Sequence, residues 1–300
     1  MSLRDRLFIS AIAPRGIVAA AIASLTAGTL GARAIPGGPE VRALVFLVIA
    51  GTVVAAGLAA WPLAALLRLR LPARDRIAIL GAQGLGIALG RELRDAGRTV
   101  VFVDADPQRC RLVEDDGFSV VFGDALRERT LRRIPVELVG TVIGATYNDN
   151  LNSQFVGLAR QTFGVKVGLV LVDSLEGERA PQHVTRHGAD VLFGAPHDQE
   201  RWDVYWRQGQ VEILKVVWAE GERQPADAAP RARADVFALL TLERGGRTVP
   251  MSLSVTPRKG DLAAVAVHTA RREEALAQLE GLGWSPAAAA EPESATPEAT

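Results

Sequence analysis

The chain has 300 residues, room for about two domains, with 34 basic side chains against 34 acidic ones. A net charge of zero gives no electrostatic case for a nucleic-acid partner. The single cysteine, Cys110, excludes an internal disulfide and any cysteine-rich metal site.

Residues 7–30 are almost wholly apolar and small, with Arg15 as their one charge, and residues 43–67 carry no charge over 25 positions. Each run is long enough to cross a hydrocarbon core, which needs about 20 helical residues. A signal peptide is the rival reading of the first run, disfavoured because a second full span follows. The connection holds Pro36-Gly37-Gly38-Pro39, a turn-rich hairpin loop. Arg4 and Arg6 precede the first span; Arg68, Arg70, Arg74 and Arg76 follow the second. The loop between has Arg33 and Arg42 around Glu40. This distribution predicts both termini in the cytoplasm. Ala13-Pro14-Arg15-Gly16 interrupts the first span. Proline breaks the helical ladder, and an arginine in lipid needs a carboxylate, a wet cavity or a snorkelling path to the interface.

Residues 76–106 change register: a short apolar strand, a glycine-rich turn, a helix with apolar residues at Leu85, Ala88, Leu89, Leu93 and Ala96, a second apolar strand, then Asp104. This order is the opening of a dinucleotide-binding unit. The helix N-terminus offers amide N–H groups and a positive dipole end to a pyrophosphate. Asp104 stands where a carboxylate accepts bonds from both ribose hydroxyls and disfavours a 2′-phosphate, which points to NAD(H) or an adenine nucleotide. Set on G-x-G-x-x-G, the frame is Gly81-Ala82-Gln83-Gly84-Leu85-Gly86, with Gln83 where the middle glycine belongs. A nucleotide fold that has lost its ligand is the competing reading.

Alternation continues. Asp106-Pro107 reads as an N-cap with proline at the first helical position. Strands are expected at 118–122, 138–145, 165–172 and 189–193, with a helix from the Thr146 region through Phe163. Asp124 reads as a cap for the next helix. Strands and helices at this spacing imply a doubly wound parallel sheet with Gly81, Asp104, Asp124 and Thr146 collected at the strand ends. After Gly194 a connecting amphipathic helix (199–208) with Trp202, Tyr205 and Trp206 is expected. Beyond it come a strand (211–218), a loop (220–233), a hairpin around Gly245-Gly246, a strand (262–268), a closing helix (271–282) and a disordered tail from Pro286. His183, His187, His197 and His268 are scattered and define no metal site. No nucleophile elbow or P-loop lysine occurs.

Two resemblances follow. LFISAIAPRGIVAAAIASL, with VFLVIAGTVVAAGLAAWPLAALL after it, resembles the last two membrane helices of bacterial monovalent cation:proton antiporters. The stretch beyond resembles the nucleotide-binding domain of Trk-type potassium uptake regulators, the RCK or TrkA-N domain. Thr146-Tyr-Asn148-Asp149-Asn-Leu-Asn152 is similar to its T-x-N-D-x-x-N signature. The resemblance implies two transmembrane helices (7–30 and 43–67), a Rossmann-like RCK domain (74–197), a small α+β C-terminal domain (198–285) and a tail (286–300). It implies a nucleotide site of Gly81, Gln83, Gly84, Leu85, Gly86, Asp104, Asp106, Asp124 and Thr146, with Arg15 supporting an ion pathway. The family's acidic ion-binding pair lies on an earlier helix, and neither span here holds Asp or Glu. The chain is therefore expected to be the regulatory C-terminal part of an exchanger moving a monovalent cation against a proton. It would sit multi-pass in the inner membrane beside its missing helices or a membrane partner chain, as a homodimer. A gating subunit of a potassium uptake system and a membrane-tethered NAD-dependent oxidoreductase are the alternatives.

Overall fold

In the computed structural model the described residues are 6, 8–10, 17–33, 35–66, 75–134, 138–177, 179–219 and 236–287. Arg15, the loop 220–233 and most of the expected tail lie outside them. The chain divides into two units with their border after residue 73.

The first unit is a helical hairpin, α1 (Ile17–Ala32) and α2 (Gly38–Leu66). Small residues let the two approach. Ala23 and Ala27 are buried, and a Cβ on Gly38 would stand 2.9 Å from the Ala27 carbonyl oxygen. The large apolar side chains point outward: Leu25, Leu47 and Leu58 are each more than 70% exposed. Hydroxyls turn inward on their own helix, Thr26 donating to Ile22 O and Thr52 to Ile49 O. Within α2, Gly38–Ala60 is a 23-residue stretch long and apolar enough to cross a membrane; the described part of α1, Val18–Ala32, is shorter. One candidate span stands where two were expected, because the first expected span runs partly through residues outside the description.

The second unit begins with a six-stranded, wholly parallel sheet in the order β3-β2-β1-β4-β5-β6. Its strands are β1 (Arg76–Leu80), β2 (Val100–Asp104), β3 (Ser119–Phe122), β4 (Val139–Gly144), β5 (Val167–Val170) and β6 (Asp190–Val191). The helices between them are α3 (Gly84–Asp95), α4 (Pro107–Asp115), α5 (Glu128–Leu131), α6 (Asp149–Phe163) and α7 (Gln182–Thr185). This is the expected α/β, Rossmann-like arrangement. Strand order reverses between β1 and β4, which opens a crevice at their carboxyl ends. Alternate residues of each central strand feed two cores. Ile77 and Ile79 join Leu85, Leu89 and Leu93 of α3 on one face, and Ala78 and Leu80 join Phe155 and Val156 of α6 on the other. Each such buried aliphatic side chain contributes roughly 1.5–3 kcal/mol.

Beyond β6 come α8 (Gln199–Arg207), β7 (Val211–Trp218), β8 (Phe237–Arg244), β9 (Arg247–Pro250), β10 (Leu262–His268), α9 (Arg272–Gly281) and β11 (Trp284–Pro286). The strands form an antiparallel sheet in the order β11-β7-β10-β8-β9. Strand β11 lies between the expected closing helix and the tail, of which it takes in only Pro286, and was not foreseen: its three residues are too few for a periodicity. It pairs Trp284 with Trp218, whose rings meet edge to face at 5.0 Å. The second sheet is buried on both faces. Phe237, Leu239 and Val265 pack with Ala275 and Leu279 of α9, while Ala238, Leu240 and Ala266 enter the α3 core. Residues 75–287 all belong to the second unit, and the sheet changes from parallel to antiparallel beyond β6, near the expected border at residue 198.

Candidate functional site

The crevice at the reversal point is a cleft of about 770 Å³ lined by Asp104, Asp106, Arg109, Asp124, Thr146 and Tyr147, among others. Four predicted residues therefore share one wall: Asp104, Asp106, Asp124 and Thr146. Arg109 and Tyr147 were missed, since an arginine inside an amphipathic helix and a tyrosine in a polar loop carry no distinguishing pattern.

Asp104 ends β2 and is 7% exposed. Oδ2 accepts the Ala82 N–H at 2.9 Å and Oδ1 the Asp106 N–H at 2.9 Å. An ionised carboxylate offers about four acceptor sites, so two remain for a ligand. Asp106 is the expected N-cap of α4, its Oδ1 accepting from Gln108 N (2.8 Å) and Arg109 N. Arg109 lies 3.8 Å from the Asp106 carboxylate and bonds the Gln83 side-chain oxygen.

Asp124 does not cap a helix. Its Oδ1 accepts the Leu126 N–H at 3.0 Å and closes a turn, while α5 starts later, at Glu128, behind Arg127. That amide bond, with Arg127 beside it, outweighs the slight effect of burial and holds the carboxyl below its usual range. Asp124 is then anionic in the cleft at neutral pH. With Arg109 beside Asp106 and Arg127 beside Asp124 (3.2 Å), three carboxylates stand against two guanidiniums, and the remaining negative charge favours a hydroxyl-rich group, such as a ribose, over phosphate in this part of the crevice.

The signature after β4 is mainly a brace. Asn152 is fully buried, and its Oδ1 accepts from Thr146 N (3.0 Å) and Thr146 Oγ1 (2.7 Å). Its Nδ2 donates to Thr146 O (2.9 Å) and Leu171 O (3.2 Å). Asn148 caps α6 through the Leu151 N–H. The six-residue spacing of Thr146 and Asn152 thus fixes the loop that presents Thr146 and Tyr147 to the cleft.

The glycine-rich turn is placed differently from expectation. Gly81 has φ +102°, and a Cβ there would lie 2.9 Å from Ala145 backbone. A Cβ on Gly86 would lie 2.6 Å from Gly81 O. Both glycines do the structural work of the fingerprint, tight turn and close helix–strand packing. None of Gly81, Gln83, Gly84, Leu85 and Gly86 lines the cleft. Leu85 is buried core, Gln83 is 2% exposed, and α8 lies against the turn. The reason is α8 itself, which Asp198 caps through the Arg201 N–H (3.0 Å). Its Trp202 is buried in the α3 core. A second, smaller cleft of about 390 Å³ shares Thr146 and Tyr147 with the first and reaches Asp173, Asp198 and Glu200. Burial, with Asp149 and Asp198 nearby, pushes the Asp173 carboxyl upward.

Residues 77–195 match the model of the TrkA-N domain. Among solved structures, the chain is similar to the TrkA-N domain of the inner membrane protein ybaL from Escherichia coli (18% identity, 39% of this chain and 84% of that one, TM-score 0.36). It is also similar to the NAD(P)-binding domain of an exopolyphosphatase-related protein from Archaeoglobus fulgidus (28% identity, 39% and 86%, TM-score 0.35). The third is the GsuK channel bound to NAD (17% identity, TM-score 0.35), in which 89% of this chain spans about half, 53%, of that chain. No curated protein matches. The parallel sheet, the reversal-point cleft with Asp104 in its wall and the family match together establish that residues 77–195 are a TrkA-N domain, an NAD(H)-binding class of Rossmann-type domain.

Proposed function

We propose that this chain is the membrane and cytoplasmic regulatory portion of a monovalent cation/proton antiporter, and that its TrkA-N domain binds NAD(H) as the regulating ligand. The observation that carries the nucleotide half is Asp104: a nearly buried carboxylate at the end of β2, with two acceptor sites free, in the wall of a cleft at the strand-order reversal. The ribose of the adenosine half meets that carboxylate, and Asp124 and Thr146 border the same space. No side chain in the cleft is set up as a nucleophile beside a base, so the site is read as one that binds and reports rather than one that reacts. The transport half rests on the apolar α2, on Arg15 in the run before it, and on the order of membrane helices followed by a TrkA-N domain. The missing exchanger helices, or a membrane partner chain, would complete the ion path, and the TrkA-N domain would pair as a homodimer.

Regulation requires the ligand to prefer one transporter state. Asp104→Asn keeps a neutral acceptor but removes the charge, and charge-assisted bonds contribute about 1.5–3 kcal/mol. Titration calorimetry on the full chain should give an NAD(H) affinity at least about tenfold weaker, about 1.4 kcal/mol. In vesicles holding the assembled exchanger, the NAD(H) response of proton-coupled flux should fade in parallel. Unchanged affinity rejects the Asp104 assignment, and flux indifferent to NAD(H) rejects the regulatory reading.

A further inference from the structure

The amides at the start of α3 are where a ligand phosphate would bind, and the chain already fills that place. Asp203, in the middle of α8, sends Oδ1 to the Gly84 N–H at 3.1 Å, a buried contact between residues 119 positions apart. Its other oxygen lies 3.3 Å from Arg207 Nε. The backbone is as close as the side chain: a Cβ on Gly84 would stand 2.8 Å from Asp203 N. Gln199, one turn earlier, donates from Nε2 to Gln83 O (3.0 Å) and Ala145 O (2.9 Å), tying α8 to the turn and to the end of β4. A carboxylate on a helix N-terminus makes the same bond, with the same sign of charge, as a phosphate oxygen. No phosphate can reach Gly84 while residues 202–203 rest there.

This clamp is incompletely satisfied. Gln83 Nε2 and Gln199 Oε1 are buried without hydrogen-bond partners, on the two residues that join the turn to α8. Buried amide atoms left unpaired raise the free energy of the arrangement that buries them, which brings an alternative placement of α8 within reach. The cleft gives the reason for such an alternative. Its three carboxylates suit an adenosine but repel phosphates, and the α3 N-terminus is the nearby positive end.

We infer that Asp203 is a built-in competitor for the ligand's phosphate: a dinucleotide binds fully by displacing the Asp203 carboxylate and lifting α8 from the glycine-rich turn. The inference rests on the nucleotide reading above. Lifting α8 is felt in the second sheet, because β7 begins four residues after α8 ends, and Gln210 between them accepts the Thr269 N–H at 2.9 Å. Ligand occupancy is thereby converted into a displacement of the antiparallel sheet.

The test compares NAD⁺ with adenosine, which has the ribose but no phosphate, by calorimetry on the full chain and on Asp203→Asn. The variant should bind NAD⁺ about tenfold or more tightly, with adenosine affinity unchanged. Equal NAD⁺ affinities, or a weaker one in the variant, overturn the inference while leaving nucleotide binding in place. An equal gain for adenosine overturns it too, since no phosphate is then involved. Hydrogen exchange on the wild-type chain decides the matter independently, including where the variant does not fold. NAD⁺ should raise deuterium uptake across 199–207, whereas protection of that segment means the ligand docks against a fixed α8 and sinks the proposal. No binding of either compound by either protein rejects the nucleotide reading and this inference with it.

Discussion

At Asn152 a single side chain makes four hydrogen bonds, three of them to Thr146. Removing it would leave the Thr146 N–H and two carbonyls to find other partners, at about 1–3 kcal/mol for each buried group left unpaired. Asn152→Ala should lower unfolding free energy by about 2–4 kcal/mol in urea titration, a range set by those terms. A loss below about 1 kcal/mol would mean that the loop is held elsewhere. The sequence carried half of this. Asn148 as a cap and the Thr146-to-Asn152 spacing stand in the string, but a capping residue and a brace look alike until the fourth partner, Leu171 O, is seen. Asp203 was not legible at all. Its partner lies 119 positions upstream, and Glu200, on the same helix, offers the same charge. The nine expected nucleotide contacts divide accordingly. Asp104, Asp106, Asp124 and Thr146 line the cleft because strand ends fix them. The glycine-rich turn lies off the cleft because a helix assigned to connection folds back over it.

The secondary elements were largely legible, for reasons local to each. Asp106-Pro107, Asn148 and Asp198 start α4, α6 and α8 where capping chemistry places them. Strands came out shorter than expected at β5 and β6, because apolar runs extend past the last ladder bond. In the second sheet β8 and β10 are stapled by charge. Arg244 Nε donates to both oxygens of Asp261 at 2.9 and 3.1 Å, its Nη2 donates to Oδ2, and the Arg258 N–H adds a fourth bond at 2.8 Å. Burial alone would push the Asp261 carboxyl up, but Arg244 and the Arg258 amide outweigh it and hold it below its ordinary 3.8. A carboxyl depressed in the folded state contributes stability that is complete above its unfolded pKa and fades as pH falls through the folded one. Thermal melts should therefore lose stability below about pH 4. Asp261→Asn should be less stable than wild type at pH 7, with the gap narrowing toward pH 2. A constant gap would show that Asp261 acts through packing instead.

For the whole molecule, the two units make opposite demands on solvent. Side chains such as Leu25, Leu47 and Leu58 stand bare on the helical hairpin, and large apolar side chains exposed in such number favour aggregation in water. A hydrocarbon environment removes that cost, and Gly38–Ala60 has the length for it. The chain should stay in the pellet after alkaline carbonate washing of membranes, and Leu47→Arg with Val54→Arg should release it. Extraction of the unaltered chain by carbonate would reject a spanning α2. From residue 75 on, α3 touches three things at once: the parallel sheet through Leu89 and Leu93, the antiparallel sheet through Ala238, Leu240 and Ala266, and Trp202 of α8. A helix normally has one wet side, and this one is upholstered nearly all round. Cutting the chain where the TrkA-N match stops, near residue 195, would therefore strip the upholstery from the helix whose first amides are meant to greet the ligand. The shortest fragment worth handling as a nucleotide receptor runs on through β11.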